Sequence, residues 1–292
     1  MDFEHLLDKL WFFDAEVFAH DCLFVFIKYT TKEEKVFHNC PADYLDQWIR
    51  ETQPILSGYN CNNYDKHILR GWLTGMCPEE LKEVNDYIIG GGNGWNIEMP
   101  FVQLPIMWDL FNEINPRKSL KEIEGNLRLD ITETTIPFDL PTKWTNSQYE
   151  EVLYYCRHDV QALIPLFEKL IVGYKSKFII SKLGKMDPAK ALAMTNANLT
   201  AVLLKGKMKK HDDNFAYKIP SIVDLSKIPF AFLAYINDIV KHNDLNYKPE
   251  APLLDLGSIN FQTGVGGGHG FLKNGIIDYE RSDFNDIGFK CE

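Results

Sequence analysis

Two carboxylates stand inside the most apolar stretch of the chain. Residues 10–17 read LWFFDAEV, and Asp14 and Glu16 are the only charged groups among them. Two apart on a strand, they share a face. Side by side away from water they repel each other and lose hydration, which costs several kcal/mol unless compensated. A divalent cation relieves both terms; a strand end where both side chains reach water is the plainer alternative. The segment GYNCNNYDKHIL (58–69) ends a strand in a turn that opens a helix. It places Asp65 at the helix N-terminus, where an acid also serves simply as a cap. The segment YYCRHDV (154–160) sets Tyr155 and Asp159 four apart on one helical face,. They border the apolar stripe of Val152, Cys156, Val160, Leu163 and Phe167. An ordinary Tyr–Asp hydrogen bond accounts for that pair taken alone.

The elements that must position these groups follow from periodicity. Residues 10–17 predict a central strand buried on both faces, with 22–29 and 34–38 completing a meander,. Helical spacing covers 41–52, 64–74 and 78–89, with a short strand at 55–59 and a glycine-rich loop at 90–94,. A strand at 106–110 precedes a helix at 119–127, where Ser119 and Glu122 form a capping box,. Thr145 and Gln148 form a second one, opening a helix that carries Asp159 and runs toward Leu170, with a kink expected near Pro165,. Strands first, then alternating helices and strands, predict an α/β fold with a mixed sheet flanked by helices.

The ordered set of Asp14 and Glu16, then Asp65 after a GYN-containing strand, then Tyr155-x-x-x-Asp159 on a late helix, resembles the DEDD exonuclease superfamily. Tyr155, four residues before the last acid, marks the DEDDy branch. FFDAEVF, GYNCNNYD and YCRHD resemble the three exonuclease motifs of phage-type family B DNA polymerases, over roughly residues 8–172. The resemblance implies a ribonuclease H-like fold and a metal-dependent 3′→5′ exonuclease that shortens DNA ends to nucleoside monophosphates. Its cofactors would be two divalent ions, Mg²⁺ or Mn²⁺ given the hard oxygen ligands, ~3.5–4 Å apart. Asp14 would bridge both. Glu16 and Asp159 would complete the site of the ion that activates water, Asp65 would support the other, and Tyr155 would orient the attacking water. Asn60 would contact the single-stranded 3′ end. Phe18 is a candidate for stacking on a terminal base, or for a place in the core.

Beyond about residue 172 the texture changes, so the expected division is an exonuclease domain at 1–172 and a mainly helical, Lys-rich extension at 173–292. Helices are expected at 185–205 and 222–242, and a glycine-rich hairpin at 261–277. Lys205, Lys207, Lys209 and Lys210 form the densest basic cluster, readable as a phosphate track or as a solvated helical face,. GVGGGHG (264–270), with Gly266, Gly267 and His269, resembles the Gly-Gly segment between the exonuclease and polymerase domains of phage-type enzymes, where it contacts DNA. It lacks the Lys-Ser/Thr of a P-loop. None of the family's polymerase motifs follows before Glu292, so polymerisation is not expected from these residues.

Net charge is −10 over 292 residues, which by itself argues against a nucleic-acid partner,. The balance is uneven. Residues 169–210 hold ten Lys and one acid, or +9, while the remaining 250 residues hold 21 basic and 40 acidic side chains. Metal ions at the acids and the basic segment together would supply the missing attraction. The six cysteines show no metal-site spacing and read as reduced thiols,. The chain shows neither a signal peptide nor a membrane-length apolar run, so it is expected to be cytoplasmic, in a phage or prophage setting. Single-stranded DNA 3′ ends are the expected partner, with a separate polymerase chain as a second. Two alternatives stay open: a non-catalytic DNA-binding subunit of a split polymerase, and an RNA-directed DEDDy nuclease of the ribonuclease D type.

Overall fold

The structure is a computed structural model that describes residues 2–114, 118–206, 225–243, 247, 249–250, 252–255, 259–264 and 267–272. The chain divides into two compact units, Met1–Lys207 and Met208–Glu292.

The first unit is built on a five-stranded mixed sheet. Helix α1 (Phe3–Asp8) leads into β1 (Leu10–Val17), β2 (Cys22–Lys28) and β3 (Glu34–His38). Then come α2 (Ala42–Thr52), β4 (Ile55–Gly58), α3 (Asp65–Leu73), α4 (Pro78–Ile89) and β5 (Ile106–Asp109). Helices α5 (Leu120–Leu127), α6 (Asn146–Leu183), α7 (Pro188–Leu192) and α8 (Asn196–Leu203) follow. The strand order is β3-β2-β1-β4-β5, antiparallel through the meander and parallel from β1 to β5. This α/β arrangement, with β1 central and helices on both faces, is compatible with a ribonuclease H-like fold.

Burial follows the pleat of β1. Leu10 and Phe12 belong to the core under α1, α5, α6 and α7; Trp11, Phe13, Ala15 and Val17 belong to the core under α2, α3 and α4. Successive side chains of a strand point to opposite faces, so Asp14 and Glu16 fall on the α6 side with Leu10 and Phe12. The strands and helices expected up to the start of α6 appear within a residue or two, but the single helix expected at 185–205 is two short ones, α7 and α8, each opened by its own side-chain cap (Asp187, Thr195), and the one expected at 222–242 begins at Phe230. Helix α1, held by an Asp2 side chain that accepts from the His5 amide at 2.8 Å, was not foreseen. Both capping boxes form: the Ser119 amide donates to Glu122 at 2.7 Å, and the Thr145 amide to Gln148 at 2.9 Å. Helix α6 continues through Pro165 and across residue 172 to Leu183. Its buried residues follow the helical period, and Tyr174 and Phe167 stack toward Trp108 on β5.

In the second unit the described elements are a 3₁₀ turn (Leu225–Lys227), α9 (Phe230–His242) and strands β6 (Leu253–Asp255), β7 (Ile259–Gly264) and β8 (Gly267–Leu272). The strands form an antiparallel sheet in the order β6-β7-β8, and β7 and β8 form the expected hairpin, with Gly264 opposite Gly267 and Gln262 opposite His269.

Candidate functional site

Three separate stretches of chain bring the predicted carboxylates together at the end of β1. Asp14 is half-buried and Glu16 buried on the α6 face of that strand. Asp65 is the first residue of α3 and is buried. Asp159 is buried on α6, one turn after Tyr155. Strand β4 delivers Asp65 because it lies parallel to β1, so the turn that follows it opens beside the end where Asp14 and Glu16 sit. The turn itself is tight: Gly58 lies where a Cβ would meet Cys61 at 2.8 Å and the Phe13 carbonyl at 3.2 Å.

Burial raises all four carboxyls, and their mutual repulsion adds to the rise at Asp14 and Glu16. Burial pushes the Asp14 carboxyl well above the usual range, and Asp65, Glu16 and Asp159 push it further. Glu16 is raised likewise, by burial first and then by Asp159 and Asp65. Asp65 is pushed up to about 7, chiefly by burial, with backbone amide donation opposing and Asp109 adding to the rise. Asp159 is raised by burial although Lys121 pulls it down. Like charges held out of water raise each other's pKa in this way.

The donor set fits a divalent cation. Asp65 Oδ1 is buried without a hydrogen-bond partner. Ligand atoms of Asp14, Glu16 and Cys156 lie within 4.8 Å of one another. Cys156 approaches Asp14 at 3.9 Å, but burial and the neighbouring carboxylates keep its thiol well above the ordinary range. A thiol that stays protonated is a poor ligand, which leaves the carboxylate oxygens as the groups that could hold a metal ion,.

Tyr155 is half-buried, and its hydroxyl hydrogen-bonds Asp159. Burial and the nearby acids hold the phenol far above its ordinary value, so it remains a donor. It therefore carries a proton that can be aimed into the acidic cleft.

Four partners escaped the sequence. Lys121 on α5 donates to Asp159 at 2.6 Å and to the Thr132 carbonyl at 2.9 Å, and its ammonium lies 5.1 Å from the Tyr155 ring centroid. Burial pulls Lys121 down, but its bond to Asp159 and the charges of Asp159 and Glu124 outweigh that and hold it protonated. Glu124, one helical turn on, is fully buried and sits 3.4 Å from Lys121, and neither of its carboxylate oxygens has a hydrogen-bond partner. Glu124, His158 and Asp159 form a second group with ligand atoms within 4.8 Å, and the Lys121 ammonium is the cation beside it. The signal for Glu124 was present: it falls on the apolar stripe of Leu120, Ile123 and Leu127, where an acid is out of place,. The fourth is Asp109, buried at the end of β5. It accepts from the Asn62 and Phe111 amides, each at 3.1 Å, and so fastens the turn that leads into Asp65.

The remaining predicted residues scatter. Asn60 sits in that turn at a φ of 59° and accepts from the Asn63 side chain at 2.7 Å. Phe18 is not available to a base: it is 1% exposed and packs against Phe138 and Trp144, with ring centroids 4.6 and 4.9 Å away. It is a core residue, because the chain past β1 turns back under the loop that carries those rings. Lys205 is exposed just after α8. Lys207, Lys209, Lys210 and Gly266 lie outside the described residues; Gly267 and His269 lie on β8.

No protein-family model matches the sequence. No curated protein matches it either. Among solved structures, the chain is similar to Phi29 DNA polymerase complexed with primer-template DNA and incoming nucleotide substrates, at 13% identity and a TM-score of 0.35. That match covers 59% of this chain and 32% of the polymerase. A second Phi29 DNA polymerase structure, complexed with primer-template DNA, matches at 13% identity and a TM-score of 0.32, over 60% of this chain and 34% of that one. The chain thus spans about a third of the length of these polymerases. No helix among the described residues is long and apolar enough to cross a membrane.

Proposed function

We propose that the chain is a metal-dependent 3′→5′ exonuclease acting on single-stranded DNA ends. One observation carries the reading: Asp14, Glu16, Asp65 and Asp159, from three elements, lie buried at the end of a central strand, where burial raises each carboxyl and mutual repulsion adds to it at Asp14 and Glu16. A fold gains nothing in stability from such crowding, so the cluster calls for a cation and for the chemistry that cation performs.

Asp14, Glu16, Asp65 and Asp159 would hold one or two Mg²⁺ or Mn²⁺ ions. Ions bound there supply Lewis-acid stabilisation of phosphoryl oxygens. The Tyr155 hydroxyl donates its proton to Asp159, and its oxygen would accept a hydrogen bond from the attacking water and so orient it,. Lys121 sets the direction of Asp159 by holding its Oδ1. Asp109 fixes the turn bearing Asn60, which we assign to contact with the strand end. All these residues fall inside the region 1–172 proposed as the nuclease domain; Lys205, Lys207, Lys209, Lys210, Gly266, Gly267 and His269 remain proposed DNA contacts outside it.

The test is a 5′-labelled single-stranded oligonucleotide incubated with Mg²⁺, beside its RNA counterpart. A ladder of shortened DNA products that disappears in Asp14→Asn is expected. No ladder from the wild type, or one equal in Asp14→Asn, refutes the reading. Faster shortening of the RNA would move the assignment to a ribonuclease.

A further inference from the structure

Trp95 stands in a setting that neither the core nor the carboxylate site explains. It is 57% exposed, although an indole is among the side chains that gain most from burial,. It is nevertheless held firmly. The Asn93 side chain accepts from the Trp95 amide at 3.0 Å. Gly94 comes so close to His67 that a Cβ there would meet the ring at 2.5 Å, and Gly92 would meet the Tyr87 ring at 2.4 Å. The glycine-rich loop is thus a seat with its closest approaches set by two rings. The rings of Trp95 and the buried His67 meet edge to face, with centroids 4.8 Å apart at 83°.

Two cations share that seat. Lys66 and Arg70, four apart on α3 and so on one face of it, place their charged groups 5.3 and 5.6 Å from the Trp95 ring,. Lys66 reaches the Asn62 side chain at 3.4 Å and Arg70 donates to the Ile97 carbonyl at 2.7 Å, and neither forms an ion pair among the described residues. Both positive charges therefore stay available to an anion. Lys66 directly follows Asp65 at the start of α3, so the cation and the cleft acid share one end of that helix, with their side chains about 100° apart around its axis,.

An exposed indole with two cations over its ring, neither in an ion pair among the described residues, has the chemistry of a single-stranded nucleic acid contact. Bases stack on the ring whatever their sequence, and the phosphates between them meet the cations. We propose that Trp95, with Lys66 and Arg70, forms a stacking platform for a base of the single strand whose end lies at Asp65. The platform rests on the exonuclease reading for its substrate but not for its measurement. It also answers the charge objection, since it supplies attraction within the acidic part of the chain.

The probe is a 5′-fluorescein single-stranded DNA dodecamer, with its RNA counterpart and a blunt duplex, followed by anisotropy in EDTA so that no cleavage occurs. Trp95→Ala should weaken binding of both single strands by about 5-fold or more, with little change for the duplex. Trp95→Phe should keep most of the affinity and lose part of the tryptophan quenching seen on binding. Lys66→Gln should weaken binding and lower the slope of log affinity against log salt by about one. Wild-type affinity in a folded Trp95→Ala, or in Lys66→Gln with an unchanged salt slope, overturns the platform. The lysine variant decides the question should Trp95→Ala fail to fold. Failure of wild-type cleavage in Mg²⁺ removes the exonuclease reading and leaves this binding result standing.

Discussion

The carboxylate cleft and the Lys-rich stretch at 169–210 are opposite ways of handling like charge. The acids are far apart in sequence, from Asp14 to Asp159, and the sheet brings them into one site. The lysines are crowded in sequence, and among the described residues helix α6 spreads its own around its axis. Lys177 turns inward, is 2% exposed, and pairs with Glu113 while donating to the Met194 carbonyl at 2.7 Å. Lys175 and Lys182 lie near the rings of Phe3 and Phe178, at 6.0 and 5.1 Å. Density along the chain is therefore no measure of density in space. A helix sends consecutive side chains around its axis every 3.6 residues, whereas parallel strands deliver their following loops to one edge of the sheet.

The largest effect is expected at the acids. Asp14→Asn or Asp159→Asn should lower single-nucleotide release from the labelled strand by ~10³-fold or more, since several kcal/mol of charge stabilisation are lost. A fall below tenfold would mean that the crowded acids do not perform the chemistry.

The next effect belongs to stability. Lys177→Met leaves Glu113 buried without its partner and should cost ~3 kcal/mol in urea unfolding. Lys185→Gln, on the surface, should stay within about 0.5 kcal/mol. Equal costs would show that the basic segment is solvated throughout.

A smaller effect is read against pH. Asp65 has a folded value of about 7, above its ordinary 3.8. The native state then holds a proton that the unfolded state has lost, so stability falls as pH rises from about 4 to 7. His67, lowered to about 4 from 6.5 by burial first and then by Arg70 and Lys66, acts with the opposite sign, adding stability as pH rises from about 4 to 6.5. Above pH 6.5 the His67 contribution is complete while Asp65 still titrates, so the melting temperature without metal should decline. Asp65→Asn should flatten that decline, and Mg²⁺ should raise the melting temperature more at pH 8 than at pH 5.5. A metal effect independent of pH would count against these acids as its ligands.

The smallest effect is expected at the middle of the basic segment. Gln at Lys185 and Lys190 together should change cleavage less than twofold at 0.15 M salt, where exposed charges more than about 8 Å away are screened. A large loss would make the segment a phosphate track after all.

What the sequence by itself determined was local. Alternation and apolar runs placed β1 to β5, and Ser119 and Thr145 marked two helix starts, because strand period, helix period and caps depend on near neighbours. Asp14, Glu16 and Asp159 were legible as acids in or beside apolar runs, whereas Asp65 and Tyr155 joined them only through the resemblance of the ordered set to the DEDD exonucleases. Only the tertiary structure decided what stands against them. Lys121 and Glu124 touch Asp159 across 38 and 35 positions of chain, Asp109 holds the turn before Asp65 from the neighbouring strand, and Phe18 is closed off by Phe138 and Trp144. None of these contacts has a period, since each depends on which strand lies beside which. Trp95 shows the same limit. The glycine-rich loop could be read, but the two lysine and arginine charges beneath its tryptophan come from another helix, and only packing put them there.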